Sequence, residues 1–101
     1  VGMVIVLIRT QVRVDADRAA YDALGERMDA LVRTIPGFVS ATGYTGEAGD
    51  EISLVRFAST EALRAWRDHP EHVVAQARGR AEFYAAYEIE VCEVTRAYHF
   101  P

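Results

Sequence analysis

The sequence predicts an α+β domain in the order β-α-β-β-α-β: a four-stranded antiparallel sheet with its helices on one face. Three observations carry this prediction. Apolar residues alternate with the strand period in four separate runs. Between those runs, two stretches repeat their apolar residues at steps of three and four. Turn residues, Pro36-Gly37 and the Gly46–Asp50 segment with its two glycines, fall between the runs and not inside them. With 101 residues and 11.2 kDa, residues 1–101 form one domain.

Met3 to Val14 reads as the first strand, with Val4, Val6, Ile8, Thr10 and Val12 on one face and Ile5 and Leu7 on the other. Asp15 or Asp17 then offers a helix N-cap. Tyr21, Leu24, Met28, Leu31 and Ile35 form one stripe of an amphipathic helix that Pro36-Gly37 ends. Phe38 to Thr45 and Glu51 to Phe57 read as strands joined by the Gly46–Asp50 turn. Ser59 is the expected N-cap of a short helix carrying Ala62, Leu63 and Trp66, with Glu61 at its positive end. Pro70 suits the first turn of a second helical piece, expected to run to about Ala86. Tyr87 to Tyr98 is the last strand. The whole is the ferredoxin-like pattern. Two helices cover one sheet face, yet the strands are apolar on both. A second copy burying ~800 Å² per subunit is the simplest cover, so a homodimer packed sheet to sheet is expected.

Composition narrows the function. Fifteen acids against eleven bases give a net charge of −4, which argues against a nucleic-acid backbone binder. Every base is arginine; without lysine there is no Schiff-base chemistry and no P-loop. The single cysteine, Cys92, sits in an apolar strand and reads as a buried inert thiol; no intrachain disulfide can form. The apolar run Val4–Ile8 is too short to span a bilayer and no basic stretch precedes it, so the expected location is the cytoplasm.

The segment His69-Pro70-Glu71-His72 holds two histidines, but Pro70 interrupts the helix between them and no third ligand is evident, so no metal site is expected. Trp66 is the only tryptophan: a core anchor or the wall of a pocket. His72, Gln76 and Phe83 recur at helical steps with Arg80 beside them, and Val73, Ala77, Ala81 and Tyr84 mark an adjoining apolar stripe. Such flanking of an apolar seam by a few polar groups is how a small-molecule pocket appears in sequence. Arg9 and Arg56 lie inside strands and are expected to be ion-paired to Glu88, Glu90 or Glu93, or else to face a ligand.

Phe57-Ala58-Ser59-Thr60-Glu61-Ala62-Leu63, followed by Trp66 and His69-Pro70-Glu71-His72, resembles the antibiotic biosynthesis monooxygenase (ABM) family of dimeric α/β barrels, as does Pro36-Gly37-Phe38 after the first helix. The resemblance covers nearly the whole chain. It implies a cofactor-independent monooxygenase acting with O₂ on an aromatic, anthrone- or quinol-type molecule. It places Trp66 and His72 in the catalytic role, with His69 as second proton acceptor. Gln76, Arg80 and Arg9 become donors to a substrate oxygen, and Phe83 lies beside them on the pocket face. Haem degraders of this family carry an axial histidine about ten residues after the tryptophan, where this chain has Gln76, a poor iron ligand. Its monooxygenases commonly use a pocket asparagine, and this chain has none. That leaves a second class open, a non-catalytic dimer binding a small hydrophobic metabolite.

Overall fold

The computed structural model describes residues 2–101; Val1, the first residue of the expected domain, lies outside the described residues. Four strands, β1 (Val4–Val12), β2 (Phe38–Thr45), β3 (Glu51–Phe57) and β4 (Tyr84–Glu93), form one antiparallel sheet in the order β2-β3-β1-β4. The helices are α1 (Arg18–Val32), α2 (Thr60–Arg67) and α3 (Pro70–Arg78), and α3 runs on into a five-residue π-helical turn, Gly79–Phe83. This is the ferredoxin-like arrangement expected.

Strand alternation decides which face is buried. Val4, Val6 and Thr10 on β1, with Val55 and Phe57 opposite them on β3, are buried under the helices. They join Val32, Ile35, Ala62, Leu63 and Trp66 in one core. Ile5 and Leu7 point the other way, in register with Arg56 and Leu54, and are only half-buried. No element of this chain covers that second face among the described residues.

The caps form where the sequence offers them. Asp17, not Asp15, caps α1 by accepting from the Ala20 amide at 3.0 Å. Ser59 caps α2 by accepting from the Ala62 amide at 3.1 Å. After α1 the chain reverses at Gly37, whose φ of +90° disfavours any side chain, and a Cβ there would lie 2.8 Å from the Ala62 Cβ. Gly37 therefore sets how closely the turn approaches α2.

β1 is shorter than the expected Met3–Val14, α1 ends at Val32 before Ile35, and three boundaries after Pro70 also differ from expectation. The helix after Pro70 stops as α-helix at Arg78, and the chain is extended from Tyr84 onward, not from Tyr87. The π-helical turn releases the chain early, and Tyr84 already pairs with Val12 across a bulge at Gln11/Val12. At its far end β4 stops at Glu93, since β1 begins at Val4; one further bond, from the Val94 amide to the Met3 carbonyl, closes the ladder. Cys92 is exposed, not buried as expected: paired with Ile5, it lies on the sheet face that the helices leave uncovered, on edge strand β4. The expected apolar stripe on α3 is also displaced: Val73, Ala77 and Ala81 face solvent, and Ala75 is the helix residue buried. No helix among the described residues is long and apolar enough to cross a membrane.

Candidate functional site

Between the sheet and the helices lies a cavity of about 530 Å³. Its floor is Val6, Ile8 and Thr10 of β1 with Val55 of β3. Leu24, Gly25 and Met28 of α1 form one side, and Trp66, His72 and Gln76 the other. Tyr21, Tyr84, Tyr87 and Arg80 stand at its more polar end. A mostly apolar hollow of this size with a few convergent polar groups suits a small organic molecule. A hollow of similar volume near Gln11–Asp15 and the β2–β3 turn is a shallower surface depression.

The break between α2 and α3 builds the cavity wall that carries Trp66 and His72. His69 caps α3, its Nδ1 accepting from the Glu71 amide at 3.1 Å, and Pro70 fills the first helical position, where no amide proton is needed. The chain thus turns sharply enough for His72 to fold back over Trp66. The two rings stack with centroids 4.1 Å apart and planes 20° from parallel. On its other side the indole packs against Phe57 at 5.5 Å. Trp66 is 7% exposed, so it is at once core anchor and cavity wall. Its Nε1 is buried with no hydrogen-bond partner, the only such side-chain atom among the described residues. An unmet buried donor costs about 1–3 kcal/mol, and a ligand acceptor would relieve it.

The His72 tautomer follows from its neighbours. Nδ1 lies 3.1 Å from the Trp66 carbonyl oxygen and 3.0 Å from the Gln76 side-chain amide. A carbonyl only accepts, so Nδ1 carries the proton and donates to it. The structure places Gln76 Nε2 against Nδ1; with Nδ1 protonated, the amide flips to present its oxygen there. Nε2 is left without a protein partner, as the basic nitrogen. Burial lowers the His72 pKa from its ordinary value of 6.5, against the pull of the Arg67 and Trp66 carbonyls, which favour the imidazolium; His69 nearby lowers it further. The ring is neutral at pH 7 and able to take a proton.

This shift makes folding depend on pH. Because the folded pKa lies below the unfolded one, the unfolded chain binds more protons in the window between them, and stability rises with pH there. The His72 contribution is therefore complete above about pH 6.5 and is lost as pH falls toward the folded value. Denaturant midpoints of wild type should fall on acidification just below pH 6.5. His72→Phe, which keeps a ring on Trp66, should flatten that slope.

Two phenols complete the polar end. Burial, helped by Glu51, pushes the Tyr21 hydroxyl up to about 12, and the same causes raise Tyr84. Both stay protonated donors. Tyr21 packs edge-on against Phe83 and Tyr84, at 5.5 and 6.2 Å. Gly79 gives room for the Tyr84 ring, which an added Cβ would strike. Arg13, at the end of β1, donates to the carbonyls of Tyr84, Ala81 and Arg80 at 3.2, 3.1 and 3.2 Å. It thereby satisfies carbonyls that the π-helical turn leaves free. Tyr21 and Arg13 were not among the expected site residues. Tyr21 heads the apolar stripe of α1 and shows no polar role in sequence, and Arg13 acts through three carbonyls that only the π-helical turn brings together.

Of the expected site residues, Trp66, His72, Gln76 and Arg80 line the cavity together. Arg9, His69 and Phe83 do not. Arg9 lies on the face of β1 away from the helices, where it bridges Asp50 at 3.2 Å and Glu88 at 2.8 Å, the ion-paired reading of that residue. The His69 ring is engaged in capping α3. Phe83 is 1% exposed and belongs to the packing beneath the π-helical turn. Among the described residues no cluster of three or more His, Cys, Asp or Glu could hold a metal.

Comparison with known proteins agrees with this architecture. The family model for antibiotic biosynthesis monooxygenases matches residues 3–78, from β1 through the end of α3. The uncharacterized protein YqjZ of Bacillus subtilis is 33% identical over 76 residues, 75% of this chain and 67% of that protein. Among solved structures, Rv0793 from Mycobacterium tuberculosis superposes with a TM-score of 0.81 at 25% identity, covering 94% of this chain and 97% of that one. The cofactor-independent oxygenase SnoaB from Streptomyces nogalater superposes at 0.78 with 17% identity, over 96% and 97% of the two chains, and shares the fold. The family model spans the floor, the α1 side and the Trp66–His72 wall of the cavity, and with these relatives it shows that the chain belongs to the antibiotic biosynthesis monooxygenase family.

Proposed function

We propose that this protein is a cofactor-independent monooxygenase that oxidises an aromatic, anthrone- or quinol-type small molecule with O₂. The observation that carries the reading is the Trp66–His72 stack, which fixes a neutral imidazole with its basic Nε2 unpartnered at the wall of an apolar cavity. For an anthrone-type substrate, Nε2 takes a proton from the ring methylene. The resulting carbanion gives one electron to O₂, and superoxide and the carbon radical combine at that carbon. The imidazolium returns its proton to the peroxide. Loss of the second C–H proton with cleavage of the O–O bond leaves a carbonyl and one water, so that CH₂ and O₂ become C=O and H₂O. Gln76 and Arg80 donate to the substrate oxygen on which charge builds. Trp66 walls the ring plane and offers its free N–H. O₂ uptake on a panel of anthrones and hydroquinones, with quinone formation in equal amount, tests the proposal. Binding of the panel without O₂ uptake would instead support a non-catalytic protein for a hydrophobic metabolite, a reading favoured by the absence of asparagine from the chain.

We also propose that two copies pack through the uncovered sheet face. Ile5, Leu7, Ile52 and Leu54 share that face and remain half-buried in the single chain, with exposed Tyr44 beside them. Sedimentation at micromolar concentration should give twice 11.2 kDa, and Leu54→Arg should give the monomer. A wild-type monomer with a cooperative melt would remove this arrangement.

A further inference from the structure

We infer that the cavity selects a ligand bearing a permanent negative charge, an aromatic oxyanion paired with Arg80. The inference rests on the reading of this cavity as the substrate site and deepens it. It starts from the charges on the cavity wall. Three charged side chains line it: Asp29, Arg67 and Arg80. Asp29 is taken by Arg33 at 2.9 Å, and Arg67 by Asp68 at 3.0 Å. The Arg80 guanidinium has neither ion pair nor hydrogen bond among the described residues; only its backbone carbonyl is engaged, by Arg13. Arg80 is exposed, so the rim of the cavity, where its side chain meets solvent, carries one positive charge with no protein partner among the described residues. His72 does not add a second, because burial keeps it neutral.

The donors on the wall agree in sign. The Trp66 Nε1–H is a donor with no acceptor, and the Tyr21 and Tyr84 hydroxyls hold their protons. His72 Nε2 is an unpartnered acceptor on the same wall, but the Trp66 Nε1–H is a buried donor with nothing to meet, and it suits a ligand that supplies oxygen lone pairs. An anion entering an apolar hollow is disfavoured unless a cation meets it there. A guanidinium does so with a planar fork that fits carboxylate oxygens in pairs, and it stays charged at every accessible pH. The arrangement also divides the work, with Arg80 holding fixed charge while His72 moves a proton. Arg80 sits on the π-helical turn that Arg13 clamps through three carbonyls, and such turns mark functional positions in helices. It lies beyond residues 3–78, so this charge belongs to a part of the chain outside the matched family segment.

Calorimetry under argon, where no oxidation contributes, tests this with two isosteric probes: 1-hydroxy-2-naphthoate and its neutral carboxamide. Wild type should bind the carboxylate at least tenfold more tightly. Arg80→Gln should bring the ratio below twofold, with the loss falling on the carboxylate far more than on the carboxamide. Arg80→Lys should keep a clear part of the preference. 2-Hydroxy-1,4-naphthoquinone, an acidic enol that is anionic at neutral pH, distinguishes carboxylate from enolate recognition by its rank against the naphthoate. Equal affinities for the two naphthalene probes, an equal loss of both in Arg80→Gln, or no binding of either would overturn the inference. A charge preference that persists while O₂ uptake is absent would remove only the monooxygenase reading. Equal turnover of neutral and anionic substrates would remove only this one.

Discussion

His72→Ala should lower kcat by ~10²–10⁴-fold, the usual range for removing a positioned general base. The reason is geometric before it is electrostatic. The Trp66 carbonyl claims Nδ1, so Nε2 is the single imidazole nitrogen able to accept a substrate proton. No carboxylate on the cavity wall can replace it, since Asp29 is tied to Arg33. Truncation also removes a ring stacked on Trp66, so a second variant separates chemistry from packing. His72→Phe keeps an aromatic ring on the indole and should lose activity to the same degree. In His72→Ala, added imidazole can enter the vacated space and should restore part of the rate; in His72→Phe it should not. The pH profile adds an independent readout. Wild-type kcat/KM should rise with pH through an inflection below the ordinary histidine value, because burial disfavours the imidazolium. Both variants should lack that limb. Full turnover in both, or a profile unchanged by either, would eliminate His72 as the base.

The sequence shows the sheet, the helix starts and the Trp66–His72 pairing because each is written in local chemistry. Ser59 and Pro70 mark where helices begin, and strand alternation places Val4, Val6 and Thr10 together under the helices. His72 and Gln76 are one turn apart on an unbroken stretch of α3, so helical spacing alone puts both on the cavity. Phe83 fails the same test because the Gly79–Phe83 turn is wider than an α-turn. Three turns beyond His72 the chain no longer returns to the same face, and the ring packs inward against Tyr21. Nothing in the residues Gly79-Arg80-Ala81-Glu82-Phe83 announces that widening; it depends on Arg13, far away in sequence, holding the freed carbonyls. Arg9 departs for a plainer reason. It alternates with Thr10, so once the helices cover the Thr10 face, Arg9 must lie on the other, where Asp50 and Glu88 meet it. His69 stands beside a proline that opens a helix, and capping takes its ring before a ligand can.

Trp66→Ala should destabilise the fold by ~3–5 kcal/mol, the range for deleting a buried aromatic side chain. Small domains are stable by only ~5–15 kcal/mol, so the variant should sit near its unfolding threshold at room temperature. The indole joins two systems that otherwise touch little. One of its neighbours is Phe57 in the sheet core, fully buried, and the other is the His72 ring at the start of α3. Removing it opens a void that merges with the adjacent cavity, so water can enter, and the His72 imidazole loses both its stacking partner and its burial. Two consequences separate this from ordinary core loss. The desolvation that lowers the His72 pKa should weaken, so its titration by NMR should move back toward the ordinary value. Trp66→Phe should behave differently: it keeps a ring between Phe57 and His72 and removes Nε1, a donor with no partner in the free protein. Its loss of stability should be much smaller, because that orphaned group goes with the lost volume. Its KM for an oxygen-rich aromatic substrate should rise nonetheless, since the donor is no longer there to meet the ligand. Urea titrations of both variants beside wild type, with KM and kcat on the same samples, read these effects separately. A Trp66→Ala midpoint close to wild type would show that the indole is not the anchor between sheet and α3. An unchanged KM in Trp66→Phe would show that Nε1 does not face the substrate.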